Sequence, residues 1–364
     1  MAYNPNIPYN DLRPLPPEVG IETTAVLRKT TTAARKLAEL KGLAETIPNP
    51  AMLVDTIVLQ EAKASSDIEN IITTNDELFK ALAVGNANID ASTKEVLRYR
   101  EALWKGYNVI KDKPISWVSF YSILVQVLLG ADVGVRSAIP NHHTVVQNQR
   151  TGEVIYTPPE GEDVIQTMLS ELGRFMETQY DFDPLIKSAL IHYQFEAIHP
   201  FPDGNGRTGR IINILYLVHE GLLDVPVLYL SKYIIDNKPL YYKLLKGVTE
   251  NAAWEPWVIY MLDAIEKTAA FTISRISDIR TLIDDTLTLA KTELPSNYPA
   301  TELIEVIFRQ PYTKIKFIVE SGIAKRQTAA KYLKGLEKIG ILESRTVGRE
   351  TLYLNVELFR LLGS

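Results

Sequence analysis

The sequence predicts a mainly α fold: a helical core carrying one β-hairpin, followed by a winged helix-turn-helix domain at the C-terminal end. Three observations predict it. Apolar residues recur at helical spacing over most of the stretch from Thr23 to Leu289. One segment breaks that pattern, where Val145-Val146 and Val154-Ile155-Tyr156 flank Gln-Asn-Gln-Arg-Thr-Gly, a hairpin signal. From Thr301 the pattern resets to helix, helix–turn–helix and hairpin, the order of a winged helix.

Residues 1 to 17 hold five prolines and read as an extended arm on the surface. A helix is predicted from Thr23 to Leu43, on Val26, Leu37 and Leu40, with Gly42 near its stop. Asn49-Pro50 starts a second, which ends near Ser65-Ser66, where Asp67 to Asn70 begin a short helix or turn. Helices follow at Asn75–Leu82, Thr93–Tyr107 and Pro114–Gly130, and after the hairpin at Glu162–Tyr180 and from Pro184 to Ile198. Beyond a glycine-rich turn the prediction is helical at Ile211–His219, Leu230–Asp236, from Lys238, from Pro256 to Phe271 and at Thr281–Leu289. Pro295 and Pro299 mark a linker. The last region reads as helices at Glu302–Phe308, Thr313–Val319 and Lys325–Ile339, then a hairpin of Leu342–Arg345 with Thr351–Leu354.

A chain of 364 residues, 46% of them hydrophobic, is long enough for two or three domains with real cores. The absence of Cys excludes disulfides, thiol catalysis and Cys-ligated metal, and suits a cytoplasmic protein. The most apolar stretch, Trp117 to Leu129, is too short to span a bilayer, so no membrane role is expected. The net charge of −5 is unevenly spread: residues 301 to 364 carry +4 and the preceding 300 carry −9. With Lys325, Arg326, Lys331 and Lys334 on its second helix, the winged domain is either a surface for DNA or a protein partner, or a solvated charged face.

The residues from His199 to Arg210 read His-Pro-Phe-Pro-Asp-Gly-Asn-Gly-Arg-Thr-Gly-Arg. A glycine-rich turn that opens a helix and carries two arginines is suited to phosphate: backbone N–H groups converge, and guanidinium forks clamp oxygens. Gly204, Gly206 and Gly209 relieve the backbone, so N–H groups from 204 to 210, Thr208 included, can face a diphosphate. Asn205 can donate to an oxygen, while Arg207 and Arg210 reach one side of the helix. Asp203 is the natural carboxylate for Mg²⁺, and His199 the candidate general base. The plainer alternative is an interhelical loop with solvated arginines and a capping histidine. Neither a Walker nor a Rossmann pattern is present.

This stretch resembles the signature of the Fic family, HPFxxGNGRxxR, at each of its eight fixed positions. The resemblance implies a Fic-like core that transfers AMP from ATP and Mg²⁺ to a Ser, Thr or Tyr hydroxyl of an unidentified protein target. His199 would take the hydroxyl proton, Asp203 would hold Mg²⁺, and Gly204, Asn205, Gly206 and Arg207 would cradle the phosphates. The hairpin at Val154, Ile155 and Tyr156 is similar to the family's target-aligning flap. Tyr241 and Tyr242 fall where relatives contact the adenine side. Ser65-Ser66-Asp67-Ile68-Glu69-Asn70 resembles the inhibitory motif [S/T]xxxE[G/N], with Ser65 at its head and Glu69 set to pair with Arg210. The intact chain is therefore expected to be autoinhibited.

The expected division is a helical N-terminal region at 1–110 with the inhibitory motif at 65–70, a catalytic core at 111–275, a connector at 276–300 and the winged domain at 301–364. Two other readings stay open: the same site removing AMP, and a nucleotide-sensing DNA-binding regulator. A homodimer is compatible with all three.

Overall fold

The computed structural model describes residues 3–45, 50–85, 89–112, 145–147, 151–348 and 350–363. Their elements run in the order α1 (Thr24–Glu45), α2 (Pro50–Ile68), α3 (Asn75–Val84), α4 (Ala91–Asp112), β1 (Val146–Gln147), β2 (Val154–Tyr156), α5 (Glu162–Glu177), α6 (Pro184–Ile198) and α7 (Asn205–His219). There follow α8 (Leu230–Asp236), α9 (Lys238–Asn251), α10 (Trp254–Glu293), α11 (Ala300–Ile307), β3 (Tyr312–Thr313), α12 (Ile315–Glu320), α13 (Arg326–Lys338), β4 (Leu342–Val347), β5 (Glu350–Asn355) and α14 (Val356–Gly363). The fold is mainly helical, with a small antiparallel hairpin and a separate C-terminal sheet. The helix expected from Pro114 to Gly130 lies outside the described residues, as does the tip of the hairpin.

The central helix is α6. Asp183 caps it by accepting from the Leu185 N–H, and Pro184 stands in its first turn. Apart from Pro184 and Glu196, its residues are buried on every side, as befits a helix enclosed by others. It packs against α5, α7 and α10, while α1 lies along α10 and α2 packs against α4 and α8. Among the described residues no helix is long and apolar enough to cross a membrane.

Several boundaries differ from expectation for identifiable reasons. Helix α1 continues through Gly42 to Glu45. Helix α2 does not stop at Ser65-Ser66. Both serines are buried, and the Ser65 hydroxyl accepts from Arg210 instead of competing for its own backbone. Helix α7 begins inside the glycine-rich turn, at Asn205. The two helices expected after Pro256 are one, α10, 40 residues long and so about 60 Å.

In the winged region Tyr312-Thr313 is a strand, not the start of a helix. It pairs with Tyr353-Leu354, giving a three-stranded sheet in the order β3-β5-β4. Helix α14 carries no glycine or proline break before it and went unforeseen. This region docks on α3: the Tyr312 hydroxyl donates to Asp76 at 2.6 Å, and Phe359 meets Phe79 edge-on. Arg275 on α10 donates to the Leu361 carbonyl at 2.6 Å.

Candidate active site

The turn from His199 to Gly204 joins α6 and α7, both largely buried. His199 is the C-cap of α6, in the left-handed region at φ 47°, and its N–H closes on the Phe195 carbonyl. Phe201 is buried against Phe195. Asn205 staples the turn: its amide donates to the Phe201 carbonyl at 2.6 Å and its side-chain oxygen accepts the Phe201 N–H at 2.9 Å. The side chain of Asn205 is thus committed to the backbone. Gly204, at φ 78°, is the one glycine of the turn that needs the left-handed region.

Gly206 and Gly209 lie inside α7 and serve close approach instead. A Cβ on Gly206 would strike the Glu69 carboxylate and come within 2.9 Å of the Arg210 guanidinium. One on Gly209 would stand 2.6 Å from Glu196 Oε1. The glycines make room for carboxylates as much as for a ligand.

Arg207 and Arg210, on adjacent turns of α7, are both buried and both paired. Arg207 donates to Glu95 on α4 at 2.9 Å and to Asp203 at 3.1 Å. Asp203, with a side chain 73% exposed, also accepts the Gly204 N–H at 2.7 Å. Arg210 donates through Nε to the Ser65 hydroxyl at 2.7 Å and through Nη2 to the Ser65 carbonyl and to Glu69 Oε1, each at 2.9 Å. Glu69 sits just past the end of α2. There Asn70 adopts a left-handed conformation, and the Lys238 ammonium donates to the Ile68 carbonyl. Glu69 and Arg210, 141 positions apart, are therefore in contact, as the resemblance to the inhibitory motif led one to expect.

Burial holds the His199 pKa below the ordinary histidine value, opposed by the Glu196 carbonyl and the charges of Glu69 and Asp203. Its imidazole is thus neutral near pH 7. Two helical turns back, His192 is buried more completely. Stacked on Trp257 and bonded to the Tyr241 hydroxyl at 2.8 Å, it is pushed down to about 3 by burial and by the Arg210 charge. Glu196 is raised to about 7, first by burial and then by Glu69, with Arg210 opposing. Its Oε1 is enclosed without a hydrogen-bond partner.

Of the two tyrosines, Tyr241 is buried in this aromatic stack, with no surface to offer a ring, whereas Tyr242 is 45% exposed. The hairpin lies beside α6, because the Tyr156 hydroxyl donates to the Ala197 carbonyl. Ile155 faces outward. The N-terminal arm is fastened to the same strand and its sequel. Tyr3 and Tyr9 meet the Tyr156 ring, the Thr157 hydroxyl donates to the Pro5 carbonyl at 2.6 Å, and the Tyr9 N–H donates to the Thr157 carbonyl at 3.1 Å.

Sequence reasoning gave no site role to Glu95, Tyr3 and Tyr9, which stand in no local pattern, nor to Lys238, read there only as a helix start. It also missed Glu61, buried on α2, which accepts from Tyr99, from the Ser231 N–H and from the Ser231 hydroxyl. Among the described residues no group of three or more His, Asp or Glu side chains forms a metal cage. Asp203 is a single exposed carboxylate, suited to a cation that brings its other ligands with it.

Three family profiles match successive parts of the chain: Fic/DOC family N-terminal over residues 27–108, Fic/DOC family over 125–217, and the C-terminal domain of SoFic-like protein adenylyltransferases over 282–358. A probable protein adenylyltransferase of Aquifex aeolicus is 32% identical over 139 residues, 38% of this chain and 33% of that protein. The protein adenylyltransferase Fic of Drosophila melanogaster is 29% identical over 123 residues, 33% of this chain and 24% of the fly protein. The chain thus matches a third or less of the length of these curated relatives. A Fic family protein from Desulfovibrio desulfuricans superposes with a TM-score of 0.60 at 20% identity, over 93% of this chain and 98% of that one. A Fic domain protein from Bacteroides thetaiotaomicron reaches 0.54 at 19% identity, over 69% and 97%. Both likenesses concern the fold.

Proposed function

We infer that this chain, a member of the Fic/DOC family, is a nucleotidyltransferase that moves AMP from ATP to a protein hydroxyl and keeps itself at low activity through Glu69. The observation that carries the reading is the 2.9 Å ion pair between Glu69 and Arg210, set one helical turn from a turn whose histidine is neutral.

In this reading the neutral His199 accepts the proton of a Ser, Thr or Tyr hydroxyl, on a target or on the chain itself. The oxygen then attacks the α-phosphorus and pyrophosphate leaves. N–H groups at the start of α7 face the phosphates, and Arg207 steadies Asp203. Mg²⁺ arriving with ATP fits Asp203, a lone exposed carboxylate, and supplies positive charge against the phosphate oxygens. Glu69 occupies Arg210 and sets a carboxylate over Gly206, where a γ-phosphate would be repelled. Tyr242 is the tyrosine available to the adenine side, and the Val154–Tyr156 strand is the edge on which a target peptide would align. The division at residues 110, 275 and 300 is part of this proposal, and a Cys-free chain of this chemistry suits the cytoplasm.

Mass spectrometry of the Glu69→Gly protein, incubated with Mg²⁺ and a mixture of nucleoside triphosphates, tests the reading. The expected product is an adenylylated hydroxyl on the chain itself, absent from the Glu69→Gly/His199→Ala double variant. An unmodified Glu69→Gly protein that still binds ATP would refute the inhibitory role. A modification that survives loss of His199 would refute the base.

A further inference from the structure

The excess positive charge of the winged end is confined to one helix. Residues 301–364 carry 11 Lys and Arg against 7 Glu, a balance of +4. The stretch from Lys325 to Lys338 holds five of those cations and one of the acids, Glu337, so it alone accounts for the balance. The other six cations and six acids cancel. Helix α13 follows α12 across a turn in which Gly322 takes φ 75°, and it packs on α12 and β4. Its buried residues are Ala329, Leu333 and Leu336. At about 100° per residue these share one narrow stripe, and Gln327, Lys331, Lys334 and Lys338 fall on the stripe directly opposite. All four are exposed, as are Lys325, Arg326 and Thr328 at the start of the helix.

The acids close to these cations are engaged with other groups. Elsewhere on the molecule a surface lysine is held by an acid one helical turn on, as Lys232 is by Asp236 and Lys246 by Glu250. In the winged region Glu320 pairs with Lys316, Glu350 with Lys314 and Glu343 with Arg345. Glu337, the one acid on α13, accepts the Ser344 N–H at 2.9 Å. Among the described residues Lys325, Arg326, Lys331, Lys334 and Lys338 enter no ion pair.

We propose that the exposed face of α13 binds duplex DNA, lying in the major groove with its lysines on the flanking phosphates. The stripe from Gln327 to Lys338 is about 17 Å long, and a groove about 12 Å wide admits a helix. In a helix–turn–helix the second helix is the one that enters the groove. Among its exposed residues α13 has no apolar side chain to sink into a membrane and no aromatic ring to stack unpaired bases. Double-stranded RNA, whose major groove is deep and narrow, does not admit the helix. Gln327 and Thr328, in the first turn, are the exposed neutral side chains able to reach base edges. This binding is independent of the transferase reading.

The test titrates a fluorescent mixed-sequence duplex, a few helical turns long, with the full chain and reads anisotropy between about 50 and 200 mM salt. Affinity should fall steeply over that range, with a log–log slope of about −4 if all five cations meet phosphates. The triple variant Lys331→Ala/Lys334→Ala/Lys338→Ala should keep its melting temperature, because the three side chains are exposed and unpaired. It should bind at least tenfold more weakly at the lower salt, with a slope shallower by about 2 to 3. Arginine at the same three positions should restore binding. Lys36→Ala/Lys232→Ala/Lys246→Ala, which removes the same charge elsewhere, should bind as the intact chain does. Methyl green, which occupies the major groove, should displace the protein, and netropsin, a minor-groove ligand, should not. No binding at the lower salt, equal loss in the control variant, or displacement by netropsin alone overturns the proposal. So does tighter binding to a single strand, to double-stranded RNA or to phosphatidylserine-containing vesicles.

Discussion

Arg207 and Arg210 lie three residues apart on one helix, equally buried, yet they are held by different kinds of structure. The partner of Arg207, Glu95, stands in a helix fixed at its start, where Asp90 accepts the Thr93 N–H at 2.9 Å. Its second partner, Asp203, belongs to the same turn. The partner of Arg210, Glu69, stands past the last residue of α2, after which the chain turns away through Asn70. Helix ends open more readily than helix interiors. One arginine is fastened and the other is latched, and the placement of the acid on its helix decides which.

Paired substitutions test that distinction most sharply. Glu69→Gly should raise auto-modification by roughly tenfold to a hundredfold, the range expected when a contact worth about 1.4 to 3 kcal/mol ceases to hold the inactive state. An initial-rate assay with labelled ATP reads it. Glu95→Ala should do the reverse. A buried guanidinium losing its main partner costs about 3 kcal/mol of stability, so the melting temperature falls while auto-modification does not rise. A rise there would erase the contrast between the two arginines.

Ser65→Ala should fall between these. It removes the acceptor of Arg210 Nε but leaves the Ser65 carbonyl and Glu69 in place, a loss of about 1 to 2 kcal/mol. A several-fold activation, visible in the same assay, is expected.

The smallest effect concerns pH. Burial lowers the His199 pKa, so the acid limb of kcat/KM should lie below the ordinary value of about 6.5. Glu69 is one of the charges that raise it, so the limb should move further down in Glu69→Gly. A shift upward would place Glu69 away from the base. Stability has its own dependence. Glu196, raised to about 7, binds a proton in the folded state that the unfolded chain releases near its ordinary value, so its contribution falls as pH rises toward 7.

Most of the helices were legible because their apolar residues repeat at a helical period and because Pro50, Pro184 and Lys238-Pro239 mark their starts. The glycine-rich turn was legible because its twelve residues are contiguous. What failed was anything decided by a distant partner. Ser65-Ser66 looks like a helix stop until Arg210 takes the hydroxyl, and Glu95 is an ordinary surface glutamate until Arg207 reaches it. The reasons for Gly206 and Gly209 were likewise invisible, since close approach to Glu69 and Glu196 is a tertiary fact. Tyr241 and Tyr242 are adjacent in sequence and opposite in exposure, which no local pattern distinguishes.

The length of α10 bears on how the molecule comes apart. Lobes joined by a loose tether melt in separate steps, each at its own temperature. Here the rod that supports α1 and the core continues, with no break at residue 275, to the point where Arg275 holds the last turn of α14. Fraying its far half would strip cover from Ile276 and Ile279, both buried. The two ends therefore share one melting event, a single endotherm in a calorimeter, and damage to the winged end registers as thermal weakness of the turn that holds His199.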